Sequence, residues 1–237
     1  MGIPPIHPYP MPTAADLPDP VPDWRPDPDR AVLLIHDLQR YFVDPFPRGR
    51  SPVVELLANV DRLRDAAHRL GIPVIYTGQP GRMTRERRGL LFDFWGAGMA
   101  PDPAVRAIVD EVAPQPGDVM LRKHRYSAFH DSALAGLVAG YRRDQMLVCG
   151  VYAHVGCLLT ACDAFSRDIQ PFLVADAVAD FTADDHRTAL EYAARTCAVV
   201  RTTDQVLAAL CRPVLAGTDL ARSPADLLLG DAGQLDA

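Results

Sequence analysis

The chain has 237 residues, 49% of them hydrophobic, with 30 acidic against 24 basic side chains. That is enough for one full α/β core, and the net charge of -6 argues against general nucleic-acid binding, which needs a basic face. No apolar run approaches the roughly 18 residues of a membrane span, and Cys149, Cys157, Cys162, Cys197 and Cys211 form no C-x-x-C pair, which argues against structural zinc and a disulfide framework.

Residues 1–29 read as an extended arm, with prolines at 4, 5, 8, 10, 12, 18, 20, 22, 26 and 28 that withhold amide donors from helix or central strand. Such an arm wraps a surface, often a partner subunit's. It has no apolar signal core, so a cytoplasmic protein with reduced thiols is expected. A regular alternation follows. Ala31–Ile35 is a continuous apolar run, as for a strand covered on both faces. Residues 53–70 read as a helix with Leu56, Leu57, Val60, Leu63, Ala67 and Leu70 on one stripe and Gly71 as C-cap. A second strand is expected over 73–77. The loop from Gly78 to Pro103, rich in Arg, Phe and Trp, reads as a functional lid. A short helix over 104–112, a third strand over 119–123 and a helix over about 131–139 come next. Strand four covers 146–148 with a helix from about His154 to Ser166. Strand five covers 172–175 with a helix from Ala183 to Cys197. Strand six covers 199–202, and Thr203 is expected to cap a last helix through Leu210. This pattern predicts an α/β fold: a three-layer, doubly wound, six-stranded, mainly parallel sheet over residues 30–212, with a tail at 213–237.

Ligands of open α/β sheets bind outside the carboxyl ends of the strands, near the switch in strand order. The first four strands end in His36-Asp37-Leu38-Gln39, Gln79-Pro80-Gly81, Lys123-His124-Arg125-Tyr126 and Val151-Tyr152-Ala153-His154. An Asp and a Lys on different strands of one rim point to a site. Taken singly, Asp37 could be a turn former or helix cap and Lys123 a snorkelling surface lysine. His36 reads as a buried, hydrogen-bonding histidine. His124, His130 and His186 lack metal-ligand spacing, and neither G-x-G-x-x-G nor G-x-x-x-x-G-K-[ST] occurs, so no metal and no nucleotide cofactor are expected.

These motifs resemble the isochorismatase family over about residues 2–210. The matching pieces are Arg30-Ala-Val-Leu-Leu-Ile-His-Asp37, Gln39-Arg-Tyr-Phe42, Tyr76-Thr-Gly-Gln-Pro-Gly81, Asp93-Phe-Trp-Gly96, Arg125-Tyr-Ser-Ala-Phe129, Gly150 to Cys157 and Val174-Ala-Asp-Ala177. His124 stands where the family usually has Trp, and Gly78 where it usually has Ala. No aryl carrier-protein domain is expected after Arg212. Gln79–Thr84, Arg88–Leu91 and Asp168–Phe172 lean to the phenazine-pathway type; Phe42-Val-Asp-Pro45 and Gly156-Cys157 lean to the siderophore-pathway type.

The resemblance implies a hydrolase with Asp37 as general acid and Lys123 as its partner. Gln79 and Arg88 would hold carboxylate or hydroxyl groups, and Phe42, Trp95 and Tyr152 would form the walls. Gly156 would stand where the cysteine hydrolases of this fold keep their nucleophile, leaving room near a helix N-terminus. A cis peptide at Val151–Tyr152 and a homodimer are implied too. The expected reaction is hydrolysis of an enolpyruvyl ether, that of 2-amino-2-deoxyisochorismate or alternatively of isochorismate. Protonating the ether's methylene carbon makes an oxocarbenium ion that water captures unaided, so no cysteine is needed. One rival is a nicotinamidase-type amidase using Cys157. A one-residue shift on a helix turns a side chain by about 100°, which should aim Cys157 away from Asp37 and Lys123. The other rival is a non-enzymatic binding protein, against which the retained Asp, Lys, Gln and Arg argue.

Overall fold

The computed structural model describes residues 3–211. Six parallel strands, β1 (Ala31–His36), β2 (Val74–Gly78), β3 (Val119–Arg122), β4 (Gln145–Val151), β5 (Gln170–Ala179) and β6 (Val199–Arg201), lie in the order β3-β2-β1-β4-β5-β6. The helices are α1 (Arg40–Val43), α2 (Val53–Leu70), α3 (Arg85–Arg88), α4 (Leu91–Trp95), α5 (Pro103–Arg106), α6 (Leu134–Gly140), α7 (Leu158–Phe165), α8 (Ala183–Thr196) and α9 (Thr203–Leu210).

Strand β1 shows why its run is apolar throughout. Leu33 and Ile35 face a core shared with α2 and α9, while Val32 and Leu34 face a second core shared with α6, α7 and α8. Pleat alternation thus feeds both layers from one strand. The order reverses between β1 and β4, so a crevice opens beyond their carboxyl ends.

The helix expected over 53–70 is present, and Gly71 ends it in the left-handed conformation at φ 67°, which costs a residue without Cβ nothing. Elsewhere the boundaries differ from the pattern reading. The expected helix at 104–112 is only α5 plus a 3-10 turn at Asp110–Val112, because Ile108 bridges Gln39 in an extended conformation. The last helix is capped by Thr202 rather than Thr203, through Gln205 N to Thr202 Oγ1. Strand β5 runs four residues past its expected end. Asp176 interrupts the apolar run yet stays within the strand, where its carboxylate accepts from Thr203 N and Oγ1 (2.6 and 2.7 Å). The helix expected from His154 begins as a π-helical turn, Ala153–Cys157, before α7. The tail expected at 213–237 lies outside the described residues.

The proline-rich arm lies along its own domain. Ile6 N donates to Pro45 O at 3.0 Å, Asp27 N to Gln145 Oε1 at 2.8 Å, and Ile6 and Tyr9 are buried in the core. The Tyr9 hydroxyl accepts from Asp180 N (2.7 Å) and lies 3.2 Å from His186 Nδ1, pinning the arm to the loop after β5. Tyr9→Phe leaves that buried amide without a partner. We expect a loss of about 1–3 kcal/mol in urea unfolding, with the secondary structure unchanged by circular dichroism.

Candidate active site

The switch-point crevice is built around Asp37, the residue after β1. Its backbone takes φ 50°, a left-handed conformation that Asp tolerates better than bulkier residues. Asp37 N donates to Thr77 Oγ1 (3.1 Å), and the Thr77 hydroxyl donates back to Asp37 Oδ1 (2.5 Å). The other carboxylate oxygen, Oδ2, receives Lys123 Nζ at 2.8 Å and Gln79 Nε2 at 3.2 Å. Lys123 arrives there because its backbone N continues the β2–β3 ladder to Gly78 O. Gln79 is held by Gln39, whose amide pairs with both Gln79 N (2.7 Å) and Gln79 O (3.0 Å).

Burial pushes the Asp37 carboxyl upward, but the charge of Lys123 and the hydrogen bonds from Lys123 and Thr77 hold it below the usual carboxylate range. The free site therefore holds a carboxylate at neutral pH. His36 beside it is brought down to about 4 by burial and by the Lys123 charge, and is neutral. Lys123 is 2% exposed, and its three donors go to Asp37, Arg125 O (2.9 Å) and Tyr126 O (3.4 Å). Its ammonium is thus a fixed counter-charge rather than a free arm.

All eight residues expected at the site, Asp37, Phe42, Gln79, Arg88, Trp95, Lys123, Tyr152 and Gly156, line one cleft. One wall is aromatic: Trp95 stacks on Phe181 at 5.8 Å, and Phe181 on Tyr152 at 4.1 Å, with the Tyr152 hydroxyl tied to Phe42 O (2.7 Å). Arg88, the last residue of α3, is 5% exposed, and among the described residues no carboxylate pairs with it. Its Nε donates to Gly96 O, and its guanidinium packs so closely on Gly98 (φ +74°) that a Cβ there would meet it at 2.5 Å. The peptide before Tyr152 is cis, as the resemblance implied.

Among the cleft residues that the sequence does not single out as site members are His36, Tyr126 and Phe181. Tyr126, which accepts from Trp95 Nε1 at 2.7 Å, lies in the Lys123–Tyr126 stretch that ends strand three; Phe181 is hidden from the sequence because β5 ends later than its apolar run. The expectation that Gly156 leaves room is corrected. The space over its Cα is filled by the His36 ring, and an added Cβ would sit 2.1 Å from His36 Cε1. Cys157, fully buried in the core on the α7 face, is outside the cleft, and burial pushes its thiol well above the ordinary range. Among the described residues one group could present three ligand atoms to a cation, His154, Asp180 and Asp185. The Asp180 carboxylate there already accepts from His154 N (2.6 Å) and Phe181 N (2.8 Å) and faces the His154 ring, so it serves as a cap for the π-helical turn.

Residues 31–205 match the isochorismatase domain model. The chain belongs to the isochorismatase family. It is 54% identical over 206 residues to phenazine biosynthesis protein PhzD of Pseudomonas fluorescens, covering 87% of this chain and 99% of that one. It is 52% identical over 207 residues to an isochorismatase of Bacillus subtilis, covering 87% of this chain and 66% of that one. A cysteine hydrolase from Pseudomonas syringae superposes with a TM-score of 0.73 at 25% identity, covering 80% of this chain and 96% of that one. The chain is thus a hydrolase of the isochorismatase type on the fold expected.

Removing the counter-charge should release the effect of burial. In Lys123→Met we expect the Asp37 carboxyl to titrate at higher pH than in the native protein, read by carbon-13 NMR of labelled aspartate. An unchanged titration would mean that Lys123 does not set the state of this acid.

Proposed function

We propose that this chain hydrolyses the enolpyruvyl ether of 2-amino-2-deoxyisochorismate to pyruvate and trans-2,3-dihydro-3-hydroxyanthranilate, with Asp37 as general acid and no covalent intermediate. The observation that carries the reading is Arg88: a buried guanidinium without an acid partner among the described residues, in an aromatic cleft that also holds an Asp–Lys pair. A buried cation left in that state calls for an anionic ligand, and a guanidinium fork fits a carboxylate.

The steps follow from the chemistry of an enol ether. The C=C electron pair takes the Asp37 proton at the methylene carbon, forming a methyl group and an oxocarbenium ion. Water adds to the cationic carbon and gives its proton back to the Asp37 carboxylate. The hemiketal then collapses, breaking the bond from the pyruvyl carbon to the ring oxygen and releasing pyruvate and the ring alcohol. Asp37 needs its proton first. Substrate carboxylates entering the cleft oppose its negative charge and raise its pKa, while Thr77, Gln79 and Lys123 hold it in place. Phe42, Trp95 and Tyr152 keep bulk water out, which strengthens each charge contact.

Isochorismate, with a hydroxyl for the amino group, is the second substrate, supported by the 52% identity to the Bacillus subtilis isochorismatase. The segments at 79–84 and 88–91 favour the amino compound. Cys157, sealed in the core, gives no support to an amidase. A cytoplasmic setting is supported by the unpaired thiols, and a homodimer by Leu90 and Phe94, which stand 80% and 73% exposed in the lid.

Asp37→Ala should lower pyruvate release by about 10²- to 10⁴-fold while the protein stays folded, and full activity in that variant would refute the mechanism. Arg88→Ala should cost about 10- to 100-fold in kcat/KM, carried mainly by KM. The acid form of Asp37 is the active one, so both rate parameters fall as pH rises. Because kcat/KM reports the free enzyme, where Lys123 holds Asp37 low, its decline should come at lower pH than the decline in kcat. Coincident declines would argue against a substrate-raised Asp37.

A further inference from the structure

We propose that His36 is the specificity-determining residue that commits this site to non-covalent hydrolysis: its ring occupies the volume a nucleophilic side chain at position 156 needs, so His36 and Gly156 act as one interlocked pair. The inference rests on the hydrolase reading for its meaning, but its steric core stands on geometry alone.

His36 is the last residue of β1 and is 0% exposed. Two glycines pack on it. It pairs with Gly150 of β4, where a Cβ would meet His36 O at 2.2 Å, so the strand is fixed from the backbone side. On the other side, a Cβ at Gly156 would lie 2.1 Å from Cε1, 2.8 Å from Nδ1 and 3.0 Å from Nε2 of the ring. The overlap is with the far side of the imidazole, so whether it can be relieved depends on whether the ring can move. The ring is not free to swing away. Nδ1 lies 3.0 Å from Val151 O, which can only accept, so this nitrogen carries the proton. Nε2 lies 3.3 Å from Thr160 Oγ1, which already accepts from Ala128 N at 3.0 Å and so gives its own proton to the ring. A neutral imidazole tied at both nitrogens thus stands where a cysteine or serine side chain would begin. Asp37 and Lys123 remain beside it, with Asp37 Oδ2 3.8 Å from His36 Nδ1, so an acid–base pair is present without room for the third partner of a covalent site.

A glycine at 156 is therefore a consequence of the histidine at 36. Restoring a nucleophile needs two changes, because a cysteine alone collides with the ring. Native protein, Gly156→Cys, His36→Val and the double variant test this. Valine suits a buried strand and vacates the ring's volume. The probes are melting temperature and the release of p-nitrophenolate from p-nitrophenyl acetate. In the double variant the introduced thiol gives its proton to Asp37 and its sulfur bonds the ester carbonyl carbon. The C–O bond breaks, and p-nitrophenolate leaves.

We expect Gly156→Cys alone to lose about 3–10 °C in Tm, as an overpacked core does, with no burst above the native background. The double variant should melt above the value obtained by adding the two single losses and give a burst of about one p-nitrophenolate per chain, with the acetyl group mapped to position 156 by peptide mass. Additive losses overturn the proposal, as does a stable single Gly156→Cys protein that gives the burst. Recovered stability without a burst overturns it too, since something other than His36 would then bar the nucleophile. Pyruvate release by the native protein is read separately, so failure of the hydrolysis reading cannot be mistaken for failure of this one.

Discussion

The site depends on one ion pair, Lys123 Nζ to Asp37 Oδ2, with both side chains almost wholly buried. Placing two charges in a protein interior is unfavourable unless each is further satisfied. Here each is: Thr77 and Gln79 donate to the carboxylate, and the carbonyls of residues 125 and 126 take the remaining ammonium protons. Breaking one partner would leave an uncompensated charge in the core, so the three strand ends that supply these groups, after β1, β2 and β3, are tied into a single register. The stacked Trp95, Phe181 and Tyr152 stand along that rim as one wall of the cleft.

The same pair explains why the site can forgo a nucleophile. An enol ether reacts by accepting a proton at carbon, so the chemistry asks for a well-placed acid and a guarded cation rather than a sulfur. Lys123 holds the resting carboxyl low, and in the proposed reaction an anionic substrate would move it toward its donating form. In the proposed reaction the positive charge of Arg88, which no carboxylate among the described residues pairs with, would supply the attraction that brings that substrate in. His36 completes the arrangement by filling the volume over Gly156.

Much of this was legible in the sequence because strand ends in a parallel sheet fall on one rim. The apolar runs at 31–35 and 119–121 fixed where Asp37 and Lys123 would emerge, and the motif matches placed Gln79, Arg88, Trp95, Phe42, Tyr152 and Gly156 around them. The failures have physical causes. Strand β5 continues past Asp176 because Thr203 satisfies that carboxylate, a long-range contact that no local pattern carries, and so Phe181 was missed. The segment 104–112 has helical composition but is drawn out by its bridge to Gln39. Gly156 looked like open space because glycine is small, whereas the occupant, His36, lies 120 residues away in the chain and was read as a core histidine. It is one, and it also faces the cleft.

The central claim is that an Asp37 proton is transferred to carbon and water does the rest. A single-turnover experiment in H2O and in D2O, with intact-protein mass recorded during the reaction, tests it most directly. The account predicts slower pyruvate formation in D2O and an unmodified protein mass throughout. Equal rates in the two solvents, or a transient mass increase from a substrate-derived adduct, would contradict it.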